Sequence, residues 1–184
     1  MKYYIISGEA SGDMHAANLV ASLKKKDENT AIRAWGGDKL KAEGVTLVKH
    51  IRDLAFMGFL EVIINLPTIL KNISLCKKDI LEFLPDALIL VDYPAFNFRI
   101  AEFAKKKGIR VFYYISPQIW AWKKSRINQV RKNVDKMFVI LPFEKEYYQK
   151  NNFEVDFVGH PLLDEIEKDN FPFSIETEKP IIAL

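Results

Sequence analysis

The sequence predicts an α/β domain built on a doubly wound, Rossmann-like parallel sheet, and three observations carry that expectation. Short apolar runs alternate with longer stretches of helical period along most of the 184 residues. The runs, such as Tyr3-Tyr4-Ile5-Ile6 and Ala87-Leu88-Ile89-Leu90-Val91, are almost unbroken in apolar character, as strands buried on both faces are. Glycine and proline punctuate the joins between the two kinds of segment. A β-α-β-α order with right-handed crossovers puts helices on both faces of the sheet. It also aligns the carboxyl ends of the strands along one edge, where such folds hold ligands near the reversal of strand order.

Taken in order, Tyr3 to Ser7 reads as a buried strand stopped by Gly8. Asp13 opens an amphipathic stretch with Leu19, Val20 and Leu23 at helical spacing. It ends in Lys24-Lys25-Lys26, where basic side chains complement the negative end of a helix dipole. Ala31 to Trp35 is a second strand, broken by Gly36-Gly37; a short helix around Leu40 ends at Gly44, and Val45 to Val48 is a third strand. Leu54 to Leu66 is almost wholly apolar, and Pro67, suited to a first helical turn, leads a helix to Phe83. Ala87 to Val91 is a strand, Ala95 to Lys107 a helix capped by Gly108, and Val111 to Ile115 a strand. Arg126 to Asn133 is helical, Lys136 to Leu141 a strand, Pro142 to Asn151 a helix, and Val155 to Val158 a closing strand. One unit is therefore expected over residues 1–168. Asp169 to Lys179 is polar, carries Pro172 and lacks periodicity, so it reads as a linker. Pro180 to Leu184 reads as the first strand of a further, C-terminal domain expected beyond this chain.

Composition narrows the function classes. Apolar residues at 49% and charged residues at 28% are those of a soluble globular domain with a proper core. A net charge of +3 makes no electrostatic case for nucleic acid. Two basic groups stand out all the same: Lys105, Lys106, Lys107 and Arg110, which read as a solvated helix face, and Lys123, Lys124, Arg126, Arg131, Lys132 and Lys136. Cys76 is the only cysteine, which rules out an intrachain disulfide and fits a reducing compartment. No run of about 18 apolar residues predicts a transmembrane helix, and the N-terminal apolar stretch is too short for a signal peptide. His15, His50 and His160 lack metal-ligand spacing, so neither a metal nor a cofactor is expected.

Four segments are candidates for chemistry. Ser7-Gly8-Glu9-Ala10-Ser11-Gly12-Asp13 joins a strand to a helix; it is either a plain turn or a site in which Glu9 accepts hydrogen bonds from sugar hydroxyls and Asp13 caps the helix. Asp92 follows an apolar strand in Val91-Asp92-Tyr93-Pro94-Ala95-Phe96-Asn97. It is either the N-cap of the next helix or a carboxylate raised by partial burial toward the pKa of a general base. Trp120 and Trp122 with Lys123, Lys124 and Arg126 combine ring faces that stack on sugars with cations that suit phosphate; core packing competes for one of the tryptophans. Leu54 to Leu66, polar only at Glu61 and Asn65, is either core or a surface for acyl chains and the membrane interface.

Six pieces, in order and at consistent spacing over nearly the whole chain, carry a resemblance. They are Gly8-Glu9-Ala10-Ser11-Gly12-Asp13, Met57-Gly58-Phe59-Leu60-Glu61-Val62, Asp92-Tyr93-Pro94-Ala95-Phe96-Asn97, Ser116-Pro117-Gln118-Ile119-Trp120-Ala121-Trp122, Pro142-Phe143-Glu144 and Val158-Gly159-His160-Pro161. Together they resemble lipid-A-disaccharide synthase. The resemblance implies an inverting glycosyltransferase of lipid A biosynthesis with two facing Rossmann-like halves of GT-B type. This chain would be the N-terminal, acceptor-binding half, inactive alone. The implied acceptor is an acylated glucosamine phosphate, 2,3-diacylglucosamine 1-phosphate. The implied donor is a UDP-sugar, UDP-2,3-diacylglucosamine, held by the C-terminal domain. The product is β-1,6-linked, UDP is released, and no metal takes part in the transfer. The implied setting is cytoplasmic, peripheral to the cytoplasmic face of the inner membrane.

Carried over residue by residue, the resemblance makes Asp92 the base that takes the proton of the acceptor 6-hydroxyl. Glu9, Ser11 and Asn97 would orient the acceptor sugar, with Gly8, Gly12, Asp13, Met57, Gly58, Glu61, Pro94, Phe96, Ser116, Pro117, Trp120 and Trp122 around it. Lys123, Lys124 or Arg126 would meet the phosphate, and Phe56, Phe59, Leu60, Ile63, Ile64 and Leu66 the acyl chains or the membrane. The family often has a second Asp where this chain has Ala95, so Asp92 is expected to act alone. Two other classes stay open: a non-catalytic lipid- or sugar-phosphate-binding module, and a single-strand nucleic-acid binder using Trp120, Trp122 and the basic helix, against which the small net charge counts.

Overall fold

Seven parallel strands pair in the order β3-β2-β1-β4-β5-β6-β7: β1 (Lys2–Ser7), β2 (Ala31–Gly36), β3 (Thr46–His50), β4 (Ala87–Val91), β5 (Arg110–Tyr114), β6 (Lys136–Val139) and β7 (Asp156–Phe157). The computed structural model describes residues 1–54, 66–122 and 124–168, with the backbone alone for Trp122 and Lys168. The expected linker 169–179 and strand 180–184 lie outside the described residues, as do Phe56, Met57, Gly58, Phe59, Leu60, Glu61, Ile63, Ile64 and Lys123. The described helices are α1 (Ala10–Lys26), α2 (Asp38–Ala42), α3 (Leu66–Phe83), α4 (Pro94–Lys106), α5 (Ile119–Trp122), α6 (Ile127–Asn133), α7 (Pro142–Lys150) and α8 (Leu162–Lys168).

The central strands are apolar because both of their faces are covered. Tyr4, Ile6, Trp35, Leu88, Leu90, Tyr113 and Met137 point to one side, against Ile73, Cys76 and Ile80 of α3, Ile100 of α4 and Val130 of α6. Ile5, Ala34, Ile89 and Val91 point to the other, against Ala16 and Val20 of α1 and Leu40 of α2. Alternation along each strand divides the two sets. Full burial of each large apolar side chain contributes about 1.5–3 kcal/mol.

The sheet reverses its order between β1 and β4. There Ser7 pairs with Val91, and Val91 pairs with Tyr114 of β5. The loops after β1, β4 and β5 therefore leave neighbouring strands at one level, which is the geometry of a switch-point site. The far end of α4 closes as expected. Gly108 takes φ +73°, its N–H bonds Lys105 O at 3.1 Å and the N–H of Ile109 bonds Ala104 O at 3.0 Å, the two bonds of a Schellman motif.

Elsewhere the structure departs from expectation. The third strand lies over Thr46–His50 rather than starting at Val45, and α5 and α8 were not anticipated. The larger difference is at α1, which begins at Ala10, with Glu9 in the N-cap position. Asp13 does not cap it. Its carboxylate is 3% exposed and reaches across to α2. Oδ1 accepts from the N–H of Gly37 at 2.6 Å and of Leu40 at 3.3 Å, and Oδ2 from that of Lys39 at 3.0 Å. Those N–H groups at the start of α2 have no intrahelical partner, so the carboxylate is worth more there than at its own helix.

Asp13→Ala is accordingly expected to lower the unfolding free energy by about 3 kcal/mol, since bonds to a charged group are lost and buried N–H groups are left bare. Asp13→Asn, with one acceptor oxygen, is expected to lose less. Urea unfolding of the two variants measures it, and an Ala midpoint equal to the wild type's would show that α2 is capped by other means.

Candidate functional site

The loops after β1 and β4 are pressed together at the switch point. The Tyr93 ring rests on Gly8: a Cβ on Gly8 would stand 2.2 Å from Tyr93 Cγ. No residue other than glycine allows that approach. Asp92 and Tyr93 both take left-handed backbone angles, φ +44° and +46°. Ile115, at the end of β5, does the same at φ +65°. Such angles cost non-glycine residues about 1–3 kcal/mol each and gather where a site has to be shaped.

Side chains behind the loop hold it in place. The Asp92 carbonyl accepts from the Tyr113 hydroxyl at 2.5 Å and from Asn97 Nδ2 at 2.7 Å. Tyr93 stacks on Phe96, which in turn packs on Trp35, with 5.4 Å between ring centroids in both pairs. Tyr93, not Asp92, occupies the N-cap position of α4, and no side chain caps that helix. The capping reading of Asp92 therefore fails.

The Asp92 carboxyl is instead half-buried and turned toward Glu9. Its pKa is pushed up to about 7, first by burial, then by the hydrogen bond and the charge of the adjacent Glu9 carboxyl; the backbone N–H of Tyr93 pulls the other way. An acid of that strength exchanges its proton near neutral pH, as a general base has to.

Asp92 opens into a cavity of about 340 Å³ whose walls include Pro94, Ile115, Ser116, Pro117, Arg126 and Glu144. Two of these polar groups are already engaged. Ser116 is 5% exposed and shares a 2.6 Å bond with the Tyr148 hydroxyl. Glu144 is 1% exposed and accepts from the N–H groups of Ile140 at 3.2 Å and Leu141 at 3.0 Å. The Arg126 guanidinium lies 5.5 Å over the Phe98 ring, and no carboxylate pairs with it among the described residues. The cavity thus offers a carboxyl that titrates near neutral pH, a cation and an apolar floor.

A larger cavity, about 470 Å³, lies on the opposite face of the sheet under α8. Leu19, Ile89, Phe112, Tyr114, Phe138 and Leu163 give it a mostly apolar lining, and neither Asp92 nor Arg126 reaches it.

Of the residues expected around a site, the structure gathers Gly8, Glu9, Asp92, Pro94, Ser116, Pro117 and Arg126. Ser11 is exposed on the first turn of α1, and Lys124 is exposed in a 3-10 turn before α6. Gly12 is buried where α1 touches the sheet; its absent Cβ would lie 3.3 Å from Ser7 Cβ. Phe96 and Asn97 face inward and serve the loop, with Asn97 fully buried, and Asp13 serves α2. Trp120 meets Phe143 edge-on at 4.9 Å, with its indole N–H buried and unpartnered among the described residues. Leu66 is 46% exposed.

Sequence reasoning overlooked Tyr93, Tyr113 and Tyr148, which shape the site without lining it as ligands. Tyr113 had one legible signal: a hydroxyl on a strand position of core parity needs a buried partner. Among the described residues, no group of three or more His, Cys, Asp or Glu side chains converges as a metal site.

Comparison with known proteins places the chain. Residues 3–183 match the family model of lipid-A-disaccharide synthetase. Lipid-A-disaccharide synthase 1 of Legionella pneumophila (strain Paris) is 46% identical over 98% of this chain and 49% of its own length. The lipid-A-disaccharide synthase of Syntrophus aciditrophicus is 47% identical over 89% of this chain and 43% of its own length. That of Coxiella burnetii is 40% identical over 98% of this chain and 50% of its own length. The chain therefore spans about half the length of the curated relatives it matches.

Among solved structures, UDP-GlcNAc 2-epimerase from Methanocaldococcus jannaschii superposes with a TM-score of 0.66 at 15% identity, over 92% of this chain and 51% of that one. The enzyme from Neisseria meningitidis gives 0.63 at 13% identity, over 96% and 54%. At such identities the likeness speaks for the fold alone, one Rossmann-like half of GT-B type.

The raised pKa of Asp92 has a consequence for stability. A carboxyl held above its ordinary value of 3.8 favours its protonated form in the folded chain. The stability it contributes is complete below the unfolded value and is lost as pH rises through about 7. Asp92→Asn fixes the neutral state. Its urea midpoint is expected to match the wild type's near pH 3, below the ordinary value of 3.8, and to exceed it increasingly up to pH 8. Equal differences at both pH values would mean that the Asp92 carboxyl is not raised.

Proposed function

This chain belongs to the lipid-A-disaccharide synthetase family, and from that premise we propose that its switch-point cavity is the acceptor site of an inverting glycosyl transfer in lipid A biosynthesis. The acceptor is 2,3-diacylglucosamine 1-phosphate. The donor, UDP-2,3-diacylglucosamine, is assigned to the part of the relatives' length that this chain does not match, as a second domain after residues 1–168. One observation carries the reading: a carboxyl pushed up to about 7 stands at the switch point on the wall of a cavity that also presents Arg126.

In the transfer, the Asp92 carboxylate accepts the proton of the acceptor 6-hydroxyl. The oxygen attacks the donor's anomeric carbon from the face opposite UDP. The new C–O bond forms as the bond to the β-phosphate oxygen breaks, and UDP leaves with that electron pair. Displacement from the opposite face turns an α donor linkage into a β product, and the proton on Asp92 passes to water. A base so placed is worth about 10²–10⁴-fold. Arg126 suits the acceptor phosphate, because a guanidinium offers paired donors to oxyanions. Glu9 and Ser11 lie on the sugar side, and Lys124 adds positive charge near the phosphate.

The acylated acceptor belongs at a membrane surface, and we place the protein at the cytoplasmic face of the inner membrane. Leu66 and Leu70, 46% and 53% exposed at the start of α3, support this, since they continue the apolar run that precedes that helix. No helix among the described residues is long and apolar enough to cross a membrane.

Two outcomes are expected. In a polypeptide of the relatives' full length that carries this chain, Asp92→Ala and Asp92→Asn should both lower kcat by about 10²–10⁴-fold while acceptor KM changes little. Full activity in Asp92→Asn would remove the base from the mechanism. On anionic vesicles, Leu66→Ser with Leu70→Ser should weaken a binding that is already modest, at or below the ~10⁴ M⁻¹ of a single myristoyl chain. Flotation measures this, with circular dichroism as the control for folding. Unchanged flotation would place the membrane contact elsewhere.

A further inference from the structure

We propose that Glu9 is a positioning residue for the transfer: its carboxyl and that of Asp92 meet across the switch point, and the pair, rather than Asp92 alone, is the base. For its catalytic meaning this rests on the acceptor-site reading above; the pairing itself does not.

The first support is where Glu9 sits and what it leaves undone. It holds the N-cap position of α1 with an extended backbone, φ −148° and ψ 168°, and its carbonyl accepts the N–H of Asp13 at 2.9 Å. A side chain at that position ordinarily turns back onto the first N–H groups of its helix. The Glu9 carboxyl makes no such bond. It reaches Asp92 instead.

The second support is the construction that brings the two together. Gly8 admits the Tyr93 ring, so the two loops touch. Asp92 and Tyr93 are two successive left-handed residues next to that contact, and Tyr113 and Asn97 clamp the Asp92 carbonyl. A carboxyl held in that way beside a second one is not an accident of a loose surface. Like charges so close cannot both be ionised at low cost, and one proton stays with the pair to higher pH.

The remaining groups around Asp92 do not cancel this. Tyr113 spends its hydroxyl on the Asp92 carbonyl, Glu144 is bound to backbone N–H groups, and only the Tyr93 N–H favours the ionised form.

The test is a carboxyl ¹³C NMR titration of this chain, without substrates, with Asp92 assigned by its absence in Asp92→Asn. In Glu9→Gln the like charge is gone and the amide donates to Asp92, so its midpoint should fall by about one pH unit or more. A midpoint unmoved by Glu9→Gln would overturn the pairing. Should that variant not fold, Glu9→Ala decides in the same titration: loss of the neighbouring carboxyl should again lower the Asp92 midpoint, and a midpoint unmoved there would overturn the pairing equally.

Activity supplies the second readout, in a full-length polypeptide. Glu9→Gln should shift the acid limb of kcat/KM to lower pH and reduce the plateau, whereas a residue that merely holds the acceptor would raise KM and leave the limb in place. Because the titration needs no substrate, a full-activity Asp92→Asn would defeat the transfer reading and leave the pairing standing.

Discussion

The contact of the Tyr93 ring with Gly8 sets the spacing of everything at the carboxyl edge of the sheet. β1 and β4 are neighbours, with Ser7 level with Val91, so their loops leave the sheet side by side. What they do next depends on whether the chains can touch. With no side chain on Gly8 the ring closes the gap, and the backbone at Asp92 and Tyr93 is forced into the left-handed region. That strain is offset by the two bonds to the Asp92 carbonyl and by the stack of Tyr93, Phe96 and Trp35. Phe96 and Asn97 thus belong to the site without touching anything in it. They hold the loop in a shape that it would not keep alone.

The other buried polar groups follow a common rule. Asp13 takes the bare N–H groups of α2, Glu144 takes those of Ile140 and Leu141, and Asn97 takes two carbonyls of the loop before α4. Each is enclosed, and each satisfies backbone that no strand or helix serves. Asp92 and Glu9 break the rule. They are more exposed than the other three, and Asp92, though it accepts from the Tyr93 N–H, also faces a second carboxyl. A survey of acidic residues by burial alone would have chosen Asp13 and Glu144; the partners, not the burial, separate scaffold from chemistry.

The sheet was legible in the sequence because its strands are buried on both faces, and an unbroken apolar run has few other readings. The loops after Ser7, Val91 and Ile115 were legible for the same reason, since topology alone sends them to one edge. The start of α1 was not. Asp13 fits the local rule for an N-cap, but its better donors lie 24 to 27 residues further on, on α2. α8 escaped because its Leu162, Leu163 and Ile166 stay 44–68% exposed, so no buried stripe marks it. Within the Asp92 motif, contiguity concealed a division of labour: Asp92 and Pro94 face the cavity while Phe96 and Asn97 face the core. Periodicity cannot announce that split in a segment whose first two residues are left-handed.

The choice between a helix cap and a base at Asp92 turns on the sign of an energy. A capping carboxylate is stabilised by ionisation, because the bare N–H groups of a helix start favour negative charge. Asp92 has the opposite response: burial and Glu9 make its ionised form the costly one. An architecture selected for stability alone would place Asn there, or would turn Glu9 back onto α1, and either change would relieve the repulsion. The arrangement instead keeps two carboxyls together on the wall of a cavity, in a loop already strained, at the one edge of the sheet where ligands are held. Energy stored in that form returns when a proton is delivered, and in the proposed transfer the acceptor hydroxyl is a proton donor of the required kind.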